Sequence, residues 1–267
     1  MKKIVASLFL SLIIISVRNV SIQAFDFVIV CPTYNNERVC IKNVDAVVQQ
    51  SYKNWHMIIV DDCSTDRTFK KLRTYIDEHH LGRKITLIHN TQRQGALKNL
   101  YDVIHSCADH VKIVTYDGDD WFADTNALAC IAKEYEDPQV WLTYGQYKTY
   151  PENALGICRP FPDEVMKQKS FRTFAWVSSH PRTFYAWLFK KIKKEDLLYK
   201  GKFMQVTWDL AIMLPMLEMA SNGHIRFIPR VLYVYNDANP LNDFRHSFGL
   251  QLEIGRFICA KPKYDTL

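Results

Sequence analysis

The chain has 267 residues, of which 48% are hydrophobic and 23% are charged, and its formal net charge is +6. This length is sufficient for one large domain with a full hydrophobic core, and the composition excludes an intrinsically disordered chain. The modest basic charge suits a phosphate-bearing or acidic ligand but predicts no nucleic-acid partner, and seven cysteines without a Cys-x-x-Cys pair predict neither a zinc site nor a disulfide framework.

The N-terminus has the layout of a signal peptide. Lys2 and Lys3 precede the apolar stretch 4–17, and the segment 21–24 ends on the small residue Ala24. The apolar stretch is shorter than the ~20 residues that a membrane-spanning helix needs, although an uncleaved anchor is an alternative. We therefore assign residues 1–24 to a signal peptide or short membrane anchor. The expected location is the secretory pathway, a periplasm or a membrane, with a cytosol-facing membrane surface as second choice.

From residue 25 onward, short apolar runs alternate with amphipathic stretches. Strands are predicted for the apolar runs 25–30, 55–60, 85–88 and 111–115. Helices are predicted from about residue 37, after the cap 64–66, from residue 94 and over 128–135, with Asn35 or Asn36 as the first N-cap. Because strand and helix alternate four times, we expect an α/β fold, a mostly parallel sheet with helices on both faces.

The second half of the chain is less regular. Residues 140–147 predict a strand, 184–188 the opening of an amphipathic helix, and 208–217 a further helix. Two short strands are predicted at 225–228 and 231–235. In the absence of a repeat or a linker, the sequence predicts one domain over residues 25–250, followed by a C-terminal tail at 251–267.

Polar clusters directly follow three of the predicted strands. They are Thr33–Asn36, Asp61–Asp66 and Asp117–Asp120. Ligands of parallel α/β sheets bind outside the carboxyl ends of the strands. We therefore expect the three clusters to share one rim of the sheet.

The third cluster, Asp117-Gly118-Asp119-Asp120, brings three carboxylates into four residues. Such carboxylates repel one another unless a cation lies between them, and oxygen ligands favour a hard ion such as Mn²⁺ or Mg²⁺. Gly118 would let the backbone approach a ligand closely. An isolated Asp-Gly-Asp would more simply be a solvated turn, but the two upstream clusters favour the metal site.

Together the three clusters resemble the family 2 glycosyltransferases of the GT-A fold. The resemblance rests on the motifs Val-Ile-Val-Cys-Pro-Thr-Tyr-Asn at 28–35, Ile-Ile-Val-Asp-Asp-Cys-Ser-Thr-Asp at 58–66 and Asp-Gly-Asp-Asp at 117–120. It implies an inverting, metal-dependent enzyme that moves a sugar from a nucleotide-sugar, usually a UDP-sugar, to a hydroxyl of a glycan, lipid or protein. The Gln-x-x-Arg-Trp motif of processive members is absent after residue 200, so a single, non-processive transfer is expected.

The resemblance also implies a nucleotide site. Tyr34, beside Thr33, would pack against the uracil ring, and Asp62 would accept a hydrogen bond from the uracil N–H. Asp117 would contact the ribose. Lys98 would face the ribose or the diphosphate, with a solvated lysine as the equal alternative.

The metal ligands implied by the resemblance are Asp119 and Asp117, with Asp120 as a possible third. The bound Mn²⁺ or Mg²⁺ would neutralise the charge of the departing UDP. Asp209, which follows Trp208, resembles the acidic residue that opens a late helix in the family, and it is the expected general base. The alternative for Asp209 is an N-terminal helix acid favoured by the helix dipole.

Several other residues are weaker candidates. Diphosphate or acceptor contacts are possible for His180 and Arg182, and His246 is a candidate further metal ligand. An acceptor sugar could stack on Trp176 or Trp208, whereas core packing is preferred for Trp187.

Two rival functions stay open on the same scaffold. A sugar nucleotidyltransferase would usually carry a Gly-rich loop after its first strand, where this chain has Pro32-Thr33-Tyr34. A non-catalytic glycan- or nucleotide-binding protein would not need Asp62, Asp119 and Asp209 together. Both rivals are therefore second to the transferase.

Overall fold

The computed structural model describes residues 25–240 and 247–267, so the predicted leader and His246 lie outside the described residues. The strands are β1 Phe27–Thr33, β2 Trp55–Asp61, β3 Ile85–His89, β4 Lys112–Thr115, β5 Trp121–Phe122, β6 Leu142–Tyr150, β7 Arg182–Tyr185, β8 Leu198–Tyr199, β9 Lys202–Phe203 and β10 Ile225–Asn236. The helices are α1 Cys40–Val48, α2 Thr68–Glu78, α3 Ala96–Ser106, α4 Ala127–Glu134, α5 Asp163–Gln168, α6 Ala186–Lys190, α7 Trp208–Met219 and α8 Phe248–Cys259. None of these described helices is both long and apolar enough to span a membrane.

Eight strands form one sheet in the order β3-β2-β1-β4-β7-β6-β10-β5. The pairs β1–β2, β2–β3, β1–β4 and β6–β10 are parallel. Strand β7 is antiparallel to both of its neighbours, and β5 is antiparallel to β10. The mostly parallel α/β sheet expected from the sequence is confirmed, with β7 as an inserted antiparallel strand.

Both faces of the sheet are buried, because successive side chains of a strand point to opposite faces. On one face, Val28 and Val30 pack in a core with residues of α3, α6 and α7. On the other face, Phe27, Ile29 and Cys31 pack in a second core with residues of α1, α2 and α4. This explains why β1 reads as a continuous apolar run rather than as an alternating one.

Two local predictions were wrong, and a third was right only in part. Helix α1 begins at Cys40 rather than near residue 37, and neither Asn35 nor Asn36 caps it through a side chain, because the Asn35 amide donates to Oγ1 of Thr65 and the Asn36 amide donates to Oγ1 of Thr33. The run 184–188, predicted to open a helix, does contain the start of α6 at Ala186, but its first two residues complete strand β7, which is buried between two partners. The two short strands predicted around Pro229 are one strand, β10, whose register shifts after Ile228 because proline has no N–H to donate.

The C-terminal residues are bound to α7 through a buried ion pair. Arg172 donates from Nε and Nη2 to the two carboxylate oxygens of Glu218, at 2.6 and 2.8 Å, and from Nη1 to the carbonyl oxygen of Ile258 at 2.6 Å. Glu218 also accepts a hydrogen bond from the backbone N–H of Tyr264 at 2.9 Å. The segment predicted as a tail therefore includes most of α8 and belongs to the packed structure.

We predict that Glu218→Ala lowers the free energy of unfolding by about 3–5 kcal/mol, because it leaves the Arg172 charge buried and unpaired. Urea denaturation monitored by circular dichroism measures this change. The exposed pair between Lys200 and Glu253 provides the control, and Glu253→Ala should leave the denaturation midpoint almost unchanged. Equal midpoints for the two variants would contradict the anchoring role of the pair.

Candidate active site

The carboxyl ends of β1, β2 and β4 meet at one rim, as the sequence predicted. The N–H of Asp62 donates to the carbonyl oxygen of Thr33 at 2.8 Å, which joins the first two clusters. A Cβ on Gly118 would lie 2.5 Å from Oγ1 of Thr33 and 2.8 Å from the carbonyl oxygen of Pro32. The close approach of the acidic turn to β1 therefore already requires glycine at position 118; the approach to a ligand suggested by the sequence stays a prediction.

The turns after β1 and β2 cap each other. Oγ of Ser64 accepts the N–H of Asn35 at 2.9 Å, and Oδ1 of Asn35 accepts the N–H of Thr65 at 2.8 Å. Oδ1 of Asp66 accepts the N–H of Thr68 at 2.9 Å, as expected for a helix-start acid, while its Oδ2 accepts the N–H of Glu37 at 3.1 Å. These side chains hold Tyr34 and Asp62 in a fixed relation, because both residues lie within the two turns.

Tyr34 is partly exposed, and one face of its ring is covered by Arg93. The Arg93 guanidinium carbon lies 3.7 Å from the ring centroid, and Nε lies 3.9 Å from Oδ2 of Asp62. Sequence reasoning did not select Arg93, although its position just before the predicted helix opening at Gln94-Gly95 was an available signal. The structure thus adds a positively charged side chain, Arg93, to the site expected for the uracil ring.

Asp62 is buried, and it holds the start of α3. Its Oδ1 accepts hydrogen bonds from Nδ2 of Asn90 at 2.8 Å and from the N–H of Gln94 at 2.9 Å, and its Oδ2 accepts the N–H of Gly95 at 2.8 Å. Burial raises the pKa of Asp62, but these hydrogen bonds outweigh burial and hold the pKa below its ordinary value. A carboxylate oxygen can accept two hydrogen bonds, so Oδ2 retains one acceptor position for a ligand.

Lys98 lies on α3 and forms a salt bridge with Asp102 one turn further along the helix. Its ammonium group is thus directed toward the next turn of the helix rather than toward Gly95 at the helix start. The structure does not bring Lys98 into contact with Tyr34, Asp62 or the acidic turn in any recorded interaction among the described residues. The predicted phosphate contact would require a change of side-chain rotamer.

The acidic turn brings Asp117 and Asp120 together with His180. One potential ligand atom from each of the three residues lies within 4.8 Å of the others, a separation that one cation can bridge. Asp120 is fully buried, with Oδ1 accepting the N–H of Asn236 at 2.8 Å and Oδ2 accepting no hydrogen bond from the described residues. An unpaired, buried carboxylate oxygen facing a second carboxylate fits a divalent cation.

The electrostatics of the turn point the same way. Burial, and then the charges of Asp119 and Asp117, raise the pKa of Asp120 well above its ordinary value. The protein places little positive charge against it, because the nearest guanidinium nitrogen, Nη2 of Arg182, lies 4.0 Å from Oδ2 of Asp117. A bound cation would therefore stabilise the ionised form of this turn.

Asp119 occupies a different position from its two neighbours. Its Oδ2 accepts a hydrogen bond from Nδ2 of Asn239 at 2.5 Å, and burial raises its pKa. Nδ2 of Asn239 also lies 3.5 Å from Oδ1 of Asn36, a residue of the first cluster. This amide occupies one acceptor position of Asp119, and Asp119 is not part of the group of described residues whose potential ligand atoms lie within 4.8 Å of one another. Asn239 had no signal in the sequence beyond its place in a polar segment near the C-terminus.

His180 is buried and neutral. Its ring stacks on Tyr233 with a centroid separation of 4.7 Å, and burial, followed by the Arg182 charge, lowers its pKa well below the ordinary value. Nη1 of Arg182 donates to Nδ1 at 3.2 Å, so the neutral ring carries its proton on Nε2, which lies 3.7 Å from Oδ2 of Asp117. His180 would have to release Arg182 and change tautomer before Nε2 could bind a cation.

The predicted base Asp209 lies in the first turn of α7, and it is partly exposed. Its neighbour Trp208 packs under Arg182, whose guanidinium carbon lies 5.0 Å from the ring, and Arg182 in turn reaches Asp117. The loop before α7 approaches α3, because a Cβ on Gly95 would lie 2.6 Å from Oε1 of Gln205. The start of α7 is therefore adjacent to the rim.

Trp187, a weaker candidate for stacking an acceptor sugar, packs edge-on against Trp141 with a ring-centroid separation of 5.1 Å. The core packing preferred from the sequence fits this contact.

We predict that Asp62→Asn destabilises the protein by about 1.5–3 kcal/mol at neutral pH, the range for hydrogen bonds to a charged group. Because the folded pKa of Asp62 is lowered, its contribution is present above the unfolded pKa of about 3.9 and is lost as the pH falls through the folded pKa. Urea denaturation of both proteins at several pH values measures this difference. A difference that grew as the pH fell would contradict the assignment.

Sequence comparison places the chain beside named glycosyltransferases. It is 27% identical over 128 residues to the UDP-Glc:alpha-D-GlcNAc-diphosphoundecaprenol beta-1,3-glucosyltransferase WfgD of Escherichia coli, a match covering 48% of this chain and 47% of WfgD. It is 34% identical over 99 residues to the amylovoran biosynthesis glycosyltransferase AmsB of Erwinia amylovora, covering 37% of this chain and 32% of AmsB. The chain spans less than half of the length of each curated relative that it matches.

Solved structures show the same fold. S. aureus TarS 1-349 in complex with UDP-GlcNAc superposes with a TM-score of 0.60 at 14% identity, covering 88% of this chain and 65% of TarS. The mannosyltransferase PcManGT from Pyrobaculum calidifontis, in complex with GDP-Man and Mn²⁺, superposes with a TM-score of 0.57 at 20% identity, covering 88% of this chain and 62% of PcManGT. These neighbours are GT-A glycosyltransferases, so the GT-A fold expected from the motifs is confirmed.

The family is shown by a sequence model that covers more than half of the chain. The model of glycosyl transferase family 2 matches residues 28–195 of the 267, a range that includes all three rim clusters and the His180–Arg182 pair. With the fold and the rim geometry described above, the chain belongs to glycosyl transferase family 2, and its described core is a glycosyltransferase domain.

Proposed function

We propose that the protein is an inverting, metal-dependent, non-processive glycosyltransferase that moves a sugar from a UDP-sugar to an acceptor hydroxyl. The observation that carries this proposal is the buried acidic turn, where Asp117 and Asp120 face each other beside the Tyr34 and Asp62 turns. This arrangement offers a metal-ion site for a diphosphate next to a site for a nucleobase, and a nucleoside diphosphate contains both groups.

The hydrogen-bonding capacity of Asp62 favours uracil. Its Oδ1 already accepts two hydrogen bonds and its Oδ2 accepts one, so a single further donor can be accommodated. Uracil presents one imide N–H, whereas guanine presents an N–H and an amino group side by side. Support also comes from the TarS complex with UDP-GlcNAc and from the UDP-Glc in the name of WfgD, while the GDP-Man complex of PcManGT makes a GDP-sugar the alternative.

The divalent cation, Mn²⁺ or Mg²⁺, is assigned to Asp117 and Asp120. Their carboxylates are hard oxygen ligands, and the unpaired Oδ2 of Asp120 is the best-placed first contact. Asp119, whose Oδ2 accepts a hydrogen bond from the amide of Asn239, lies outside the group of Asp117, Asp120 and His180 and is an additional candidate ligand. When bound, the cation would neutralise charge on the diphosphate as it leaves.

The transfer step uses Asp209 as base. The acceptor oxygen forms a bond to the anomeric carbon, the bond from that carbon to the diphosphate oxygen breaks, UDP departs and the hydroxyl proton passes to the carboxylate of Asp209. Attack from the side opposite UDP in one displacement inverts the anomeric configuration. Support for this placement comes from Trp208, which connects the start of α7 to Arg182 and so to Asp117.

The acceptor is proposed to be a lipid-linked glycan at a membrane, with a free glycan or a protein as alternatives. Two observations support this choice: the diphosphoundecaprenol in the name of WfgD, and the leader-like sequence at 1–24. Membrane association through that segment, and a location in the secretory pathway, a periplasm or at a cytosol-facing membrane surface, belong to the same proposal. A single transfer is expected, because the processive motif is absent.

We predict that Asp120→Asn abolishes the thermal stabilisation that UDP gives in the presence of Mn²⁺, since the buried carboxylate that would contact the cation is lost. Differential scanning fluorimetry with UDP, with and without Mn²⁺, measures this effect. Asp124→Asn is the matched control, because Asp124 lies four residues away and pairs with Arg230. Unchanged stabilisation in Asp120→Asn would remove the metal assignment, and an equal loss in Asp119→Asn would make Asp119 a ligand as well.

We predict that Asp209→Asn reduces transfer by ~10²-fold or more while UDP affinity stays nearly the same, the scale expected for a lost general base. The donor is first identified by hydrolysis of a panel of nucleotide-sugars, and NMR of the product then reports the anomeric configuration. Glu195→Gln, at an exposed acid, is the control. Retained turnover would place the base elsewhere, and activity only with a nucleoside triphosphate and a sugar-1-phosphate would indicate a nucleotidyltransferase.

A further inference from the structure

A buried asparagine in α1 contacts both ends of the acidic turn. Asn43 is 2% exposed, and its Nδ2 donates to the carbonyl oxygen of Asp117 at 2.9 Å and to that of Asp120 at 2.7 Å. The side-chain amide has two N–H protons, so one group uses both of its donors on the same turn. Asn43 was not selected from the sequence, where a single polar residue on an apolar helix face gave no distinguishing signal.

The contacts of Asn43 fix the separation of the two peptide units that carry the candidate metal ligands. Only the Gly118-Asp119 dipeptide separates Asp117 from Asp120, and glycine is the most conformationally permissive residue. The backbone of Asn43 is held as well, because the Tyr116 hydroxyl donates to its carbonyl oxygen at 3.2 Å and accepts the N–H of Phe122 at 3.2 Å. The turn is therefore clamped on both sides by one residue of α1.

This clamp opposes the electrostatic tendency of the turn. Carboxylates held close together in a buried site repel one another, and a flexible turn would relieve the repulsion by opening. An opened turn would have to be closed again by an incoming cation, and the free energy of closing would be subtracted from the binding free energy. A turn that is already held closed keeps its carboxylate oxygens in position to bind the cation, so this free energy is not lost.

We propose that Asn43 is a positioning residue that sets the affinity of the acidic turn for its divalent cation. The inference rests on the proposed metal dependence, and it adds a residue that touches neither the nucleotide nor the acceptor. Asn43 acts through the backbone of Asp117 and Asp120, so its removal changes the geometry of the ligands without removing any of them.

A residue just beyond helix α1 provides a matched control. Gln50, at 1% exposed, lies two residues after the end of α1, and its Nε2 donates to the carbonyl oxygen of Asp124 at 2.8 Å while its Oε1 accepts the N–H of Leu128 at 2.8 Å. Gln50 thus performs the same kind of contact from the end of the same helix, but on the segment beyond the turn. It has no recorded hydrogen bond to residues 117–120 among the described residues.

The experiment measures Mn²⁺ binding to the full chain, with no donor present, by the EPR signal of free Mn²⁺. Asn43→Ala should weaken Mn²⁺ binding by about 10–100-fold, the range for loss of a residue that orients metal ligands, and Gln50→Ala should leave it within about twofold. The affinity for UDP without metal should be the same in both variants and the wild type, which a general loss of structure would not allow.

Three outcomes would overturn the inference. Equal losses of Mn²⁺ affinity in the Asn43 and Gln50 variants would show that Asn43 only supports the fold, and so would unchanged affinity in Asn43→Ala. If Asn43→Ala does not fold, Tyr116→Phe removes one hydrogen bond of the clamp and keeps the ring, and it should weaken Mn²⁺ binding measurably but less. A wild-type chain that binds no Mn²⁺, with or without UDP, would overturn the proposed metal dependence itself.

Discussion

The burial of Asp120 beside two partly exposed carboxylates, Asp117 and Asp119, is the constraint on which the rim depends. Asp120 has no exposed surface, and Asp117 and Asp119 lie close enough to raise its pKa. A buried charge is costly unless it is paired, and the described groups around the turn are mostly neutral. His180 is uncharged, the tyrosines beside it are neutral, and Arg182 lies at the limit of ion-pair distance. The described side chains around the turn therefore supply little positive charge to an ionised Asp120, and its raised pKa reflects this.

The rest of the rim holds the acidic turn in place. Thr33 lies against Gly118, the amide of Asn43 joins the two ends of the turn, and the N–H of Asn236 in β10 binds Oδ1 of Asp120. The elements involved come from both halves of the chain. The regular βα repeats supply the acidic turn and the turns that carry Tyr34 and Asp62. The irregular second half contributes Arg182 of β7 and Asn236 of β10, which contact Asp117 and Asp120.

The parts of the fold set by local patterns could be predicted from the sequence. Continuous apolar runs ending in polar turns are specific for buried parallel strands, so β1, β2 and β4 and their three clusters were found. Strand β7 was missed because only its last two residues, Phe184 and Tyr185, belong to an apolar run, and that run continues into helix α6. Its assignment depends on two antiparallel partners, β4 and β6, which are distant in sequence.

The same limit applies to the site. Asp117, Asp119 and Asp120 were predicted as a metal site because their cluster follows two further polar clusters in the order seen in the family that the sequence resembles. The hydrogen-bond donors that determine how many acceptor positions each carboxylate keeps for a ligand could not be predicted from the sequence. Asp62 is bound by Gln94 and Gly95, more than thirty residues later, and Asp119 by Asn239, 120 residues later. Hydrogen bonds over such separations leave no periodic trace in a sequence.

The mutual capping of the turns after β1 and β2 has a consequence for chimeras between relatives. Each turn lends side-chain oxygens to the backbone of the other, so neither has its own complete set of acceptors. A chimera that imports only one of these turns from a relative would leave amide protons of the retained turn without acceptors. An exchange of this part of the rim therefore has to transplant the two turns as a single unit.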